Sequence, residues 1–195
     1  KVIGTAVQFF SQVLDFVFQC CVFVMLSGES TVVKPDDRLR FDYHHSTLDL
    51  RTQLHVEVCR TQQLFARTLS RPRMTADLLR SLPISLIKKV FQEQCRLTGF
   101  GEGLYTSEEI HSLGKESLPD DKLRFLRKLI IFVYNTMCEG DEAQNINPQD
   151  VLYDAVKKNK LLQKMHAACT PEMAGNWKEA VAVALEADRA FAKRR

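Results

Sequence analysis

Three prolines stand where a helix tolerates them best, at its first position. Asn147-Pro148-Gln149-Asp150 reads as an N-cap, a proline and an acid in the first turn; Thr170-Pro171-Glu172 repeats the arrangement, and Leu118-Pro119-Asp120-Asp121 puts a proline and two acids ahead of an apolar-periodic run. Proline lacks an N–H where the helix has no partner for one, and carboxylates favour the positive end of the helix dipole. Thr106 and Glu109 have capping-box spacing. So many helix starts in 195 residues, with apolar and charged contents of 45% and 26%, constrain the chain to a helical globular fold.

The stripes agree. Residues 119–138 align Leu123, Leu126, Leu129, Ile130, Val133 and Met137. Residues 148–168 align Leu152, Val156, Leu161 and Met165, and 84–97 carry Ile84, Leu86, Ile87, Val90, Phe91 and Leu97. Residues 171–193 are rich in strong helix formers. Short helices are expected at 73–81 and 106–113, with loops at 27–37, 99–105, 114–118 and 139–147. One stretch reads two ways. Leu48, Leu50, Thr52, Leu54, Val56 and Val58 alternate as a strand would, allowing a minor β-hairpin around 38–58, whereas Leu54, Val58, Phe65 and Leu69 share a helical stripe. A lone hairpin is marginal, so a helix over 46–70 is preferred. The expected fold is all-α, with six to seven helices in an irregular bundle or a segment of a helical solenoid. It would form one helical domain over 1–195, standing alone or as a segment of a larger protein; the missing initiator Met and the terminal Phe191-Ala192-Lys193-Arg194-Arg195 favour the segment.

Residues 2–26 are the most apolar run. Gly4, Thr5, Gln8, Ser11, Gln12, Asp15 and Gln19 fall within an arc of roughly 120° at about 100° per residue, leaving one narrow polar stripe. An ionised Asp at the centre of a lipid-exposed span costs ~3 kcal/mol. A buried helix, central to the domain or covered by a partner, is therefore preferred over a membrane span, which stays as an alternative.

The charges are unevenly distributed. Residues 38–96 carry eleven Lys and Arg against five acids, residues 97–156 five against eleven, and residues 157–195 nine against four. Mutual neutralisation of the basic and acidic segments is the plainest reading. The best ligand candidates are the cations of the basic segment: Arg60, Arg67, Arg71, Arg73, Arg80, Lys88, Lys89 and Arg96. Arginine forks onto carboxylates and phosphates, so this surface fits a protein partner or an anionic ligand such as nucleic acid or inositol phosphate. Only Phe65 and Phe91 interleave it, too few for base stacking.

No catalytic constellation emerges. Gly99-x-Gly101-x-Gly103 follows a helix rather than a strand, and Gly99 fits a C-cap, so a flexible connection is expected rather than a phosphate loop. A calcium loop starting at Asp141 fails at Ala143, Ile146 and Leu152. His55 with Cys59 and His166 with Cys169 are two lone pairs, too few for zinc. The six scattered cysteines suit a reducing, cytoplasmic setting. The chain thus reads as a non-catalytic interaction or scaffold module without cofactor or metal. Its partners are protein chains or domains of its parent; nucleic acid or inositol phosphate through 60–96, and a membrane through 2–26, are the alternatives.

Overall fold

A computed structural model describes the backbone of residues 38–114 and 117–193, and the side chains in those ranges from residue 49 onward. The expected helix over 2–26 lies outside the described residues. The core is built within the compact unit Ser46–Arg195.

Among the described residues there is no strand. The elements are α1 (Arg38–Phe65), α2 (Ala76–Ser81), α3 (Ile84–Thr98), α4 (Ser107–Ser112), α5 (Pro119–Thr136), α6 (Gly140–Asn145), α7 (Pro148–Tyr153), α8 (Ala155–Ala168), a 3₁₀ turn (Pro171–Asn176) and α9 (Trp177–Ala192). The all-α expectation holds. The ambiguous stretch is helix throughout, and burial explains why. Val58, Thr61 and Phe65, at helical spacing, are enclosed, while Leu50 and Val56 of the strand-like alternation are 56% and 53% exposed. The helix ends at Phe65 rather than at 70, yet Leu69 still reaches the core.

Start signals fall where the local chemistry requires. The Asn147 side chain accepts from the Gln149 N–H at 3.0 Å, with Pro148 at the first position of α7. Thr106 and Glu109 close both bonds of the capping box. The expected helix over 148–168 is divided at Asp154. Its extended backbone ends α7, and its carboxylate accepts from the Val156 and Lys157 amides to begin α8. The Pro171 signal starts a 3₁₀ turn, and the α-helix begins only at Trp177. Residues 140–145, expected as loop, form α6.

Helix α5 is the hub, buried through Phe125, Leu126, Leu129, Ile130, Phe132 and Val133. Helices α6, α7, α8 and α9 and the 3₁₀ turn all pack on it. The glycine-rich loop after α3 is no flexible connection, because its Phe100 and Leu104 are fully buried. Phe100 sits 4.8 Å from the Phe132 ring and 5.5 Å from that of Trp177. Gly99, with φ of 80°, caps α3 through its N–H to the Cys95 carbonyl. At Gly101, with φ of 69°, a Cβ would lie 2.8 Å from the Phe91 ring, so only glycine lets the loop fold this close.

Candidate functional site

The basic segment maps onto α1, the turn after it, α2 and α3. The exposed face of α3 presents Lys89, Gln92, Glu93 and Arg96 at spacings of three, four and seven, which aligns them along one side of the helix. Arg71 and Pro72 join them from the turn leading to α2. These six residues line an open groove of about 620 Å³. The structure thus brings together Arg71, Lys89 and Arg96. Arg60, Arg67, Arg73 and Arg80 are exposed outside the groove lining.

Lys88 does something else. Its ammonium turns inward and donates to the carbonyls of Ile110 at 3.1 Å and Leu113 at 2.5 Å, satisfying the end of α4. It therefore serves the fold. Gln92 and Glu93 join the groove although sequence reasoning did not single them out. The available signal was their position three and four residues after Lys89.

Electrostatics sharpen the groove. Glu93 accepts a fork from Arg96, Nε at 3.0 Å and Nη2 at 2.7 Å. That bond is the main reason the Glu93 carboxyl titrates below its ordinary range. Arg80 pairs with Asp77 at 2.9 Å. Among the described residues, none of the eight candidate cations forms an ion pair with a carboxylate of 97–156. Four acids of that segment pair elsewhere: Glu109 with Lys128 and Arg124, Asp150 with Lys157, and Glu139 and Glu142 with Lys164. Among the described residues, the expected neutralisation joins 97–156 to 157–195, through Asp150 with Lys157 and Glu139 and Glu142 with Lys164, and no ion pair joins the candidate cations of 38–96 to 97–156. The helix spacing lets each segment find its partners locally or on α5 and α8, and leaves Arg71 and Lys89 with no ion pair among the described residues.

The other candidates resolve into structure. His55 Nε2 and Cys59 Sγ are 3.7 Å apart on one turn of α1. His166 packs edge-on against Phe65 with ring centroids 5.1 Å apart, and Cys169 Sγ lies 3.4 Å from the Thr98 hydroxyl. Among the described residues no three His, Cys, Asp or Glu converge as metal ligands, and no helix is long and apolar enough to cross a membrane. A separate pair of depressions of about 520 and 310 Å³ flanks Ile130 and Ile146.

Residues 57–171 match the family described as the microtubule-binding protein MIP-T3 CH-like domain. TRAF3-interacting protein 1 of Mus musculus is 31% identical over 134 residues, covering 68% of this chain and 20% of its own length. The proteins of the same name from Danio rerio and Rattus norvegicus are each 30% identical, over 132 and 121 residues. The chain covers 67% and 61% of itself in those two alignments, and 20% and 18% of the relatives. It therefore spans about a fifth of the length of the curated relatives it matches.

Proposed function

Because this chain belongs to the MIP-T3 CH-like domain family, we propose that it is a non-catalytic protein-binding module that docks on microtubules through the basic surface of α1, α2 and α3. The observation supporting this reading is the net-positive groove: Arg71, Lys89 and Arg96 line it against the single carboxylate of Glu93, and all of them fall inside the matched residues 57–171. A surface of one charge sign raises the encounter rate with a partner of the opposite sign and fixes register. The reading places the protein in the cytoplasm with the cytoskeleton. It also treats the unit as an anchor within a longer chain, since relatives named for interaction with TRAF3 are about five times as long as the part they share with it.

Co-sedimentation of the 195-residue chain with polymerised tubulin over a salt series tests this. Binding at low salt that falls steadily as salt rises is expected, because exposed charges are screened within about 8 Å at physiological ionic strength. A chain left in the supernatant at every salt concentration contradicts it.

A further inference from the structure

We propose that the groove between α3 and the turn at Arg71 takes an extended acidic peptide segment, and that Glu93 is a built-in competitor for it. This rests on the docking reading and specifies the chemistry of the recognised element. The groove is open, and three cations line it: Arg71, Lys89 and Arg96. Arg71 and Lys89 have no ion pair among the described residues, so each is available to an incoming carboxylate. Arg96 is not: both oxygens of Glu93 hold its guanidinium in a fork. An acidic segment laid along the helix meets Lys89 first and then Arg96, seven residues and two turns further on. Seating it there requires its carboxylate to replace that of Glu93. Glu93 then turns to solvent, and the groove changes from net two positive charges to a site whose third cation is shared with the ligand.

Charge complementarity selects the occupant. The lining offers guanidinium and ammonium donors, one amide and the Pro72 ring, with no exposed aromatic on which a base could stack. An extended chain of carboxylates fits such a strip. It asks only for cations at intervals, and Gln92 can meet its backbone.

The test uses the full 195-residue chain and a fluorescein-labelled decaglutamate peptide, read by anisotropy at low salt. Arg71→Glu with Lys89→Glu is expected to weaken binding on the order of tenfold, the scale of two reversed exposed pairs. Glu93→Gln is expected to tighten it about two- to fivefold, by releasing Arg96 from its fork. Thermal unfolding of each variant checks that it folds. Decaglutamate binding that Glu93→Gln leaves unchanged or weakens overturns the competitor role. Binding unaffected by Arg71→Glu with Lys89→Glu overturns the groove assignment. Single-stranded RNA or inositol-phosphate vesicles bound more tightly than decaglutamate, at the same residues, overturn the peptide assignment. Microtubule pelleting run alongside separates the two claims. Pelleting without decaglutamate binding overturns this inference and leaves the docking reading standing, whereas decaglutamate binding without pelleting does the reverse.

Discussion

The Lys128 ammonium lies 2.9 and 3.1 Å from the two carboxylate oxygens of Glu109, and the lysine is only 3% exposed. The same carboxylate closes the capping box of α4 and lies 3.4 Å from Arg124, which forks onto the buried Asp188 of α9. One acidic side chain thus ties α4 to the hub helix, and through Arg124 the tie reaches α9. Removing Glu109 strands a buried cation. Glu109→Ala is expected to lower unfolding stability by about 3 kcal/mol, and adding Lys128→Met to recover at least half of that, because the stranded charge causes most of the loss. Denaturant unfolding of the single and double variants checks this; equal losses in both would show that the cap, and not the buried charge, dominates.

Gly101 is pressed against two aromatic rings. Gly101→Ala combines a left-handed backbone with a Cβ driven into the Phe91 ring, so a loss of about 3 kcal/mol is expected. Gly103→Ala shares the positive φ but has open space around it, and about 1 kcal/mol is expected there. Thermal unfolding of the pair separates the steric cost from the conformational one.

Burial holds the His166 imidazole below its ordinary protonation range. The folded state therefore binds this proton less readily than the unfolded chain. Its contribution is fully present above the unfolded value near pH 6.5 and is lost as pH falls through that value toward the lower folded one. Stability measured from pH 7.5 downward is expected to decline more steeply in the wild type than in His166→Gln. Parallel curves would remove His166 as a source of the acid sensitivity.

The apolar run 2–26 carries a proposal drawn from sequence alone. Residues 27–195 are expected to stay in solution at higher concentration than 1–195, since the deleted face needs cover from a partner or the parent chain. Unfolding of 27–195, seen as loss of the cooperative thermal transition, would instead make that run part of this domain's own core.

Much of the fold was legible because helix punctuation is local. Asn147-Pro148, Thr106 with Glu109, and Pro119 each fix a start through atoms within four residues, and the structure begins α7, α4 and α5 there. The division at Asp154 was not legible, because an Asp inside an apolar-periodic stretch reads equally well as a solvated helix residue. The choice between helix and hairpin over 38–58 rested on which residues become buried, a tertiary property that alternation alone does not contain. The same holds for the site. Clustered cations were visible as composition, but only the packed chain shows that Lys88 turns inward to carbonyl oxygens while Arg71, Lys89 and Arg96 line one groove. Glu93 is hidden in the sequence for the corresponding reason: an acid within a basic run reads as local neutralisation, and only the packed chain places it in the groove lining beside Arg96.

If this basic surface, and not another face of the domain, meets the microtubule, reversing its charge must weaken docking. The direct measurement is co-sedimentation with polymerised tubulin of the wild-type chain and of the variant carrying Arg71→Glu, Lys89→Glu and Arg96→Glu, at matched salt and with thermal unfolding confirming that both are folded. The triple variant is expected to lose on the order of tenfold or more in apparent affinity. A folded triple variant that pellets like the wild type would show that another face makes the contact.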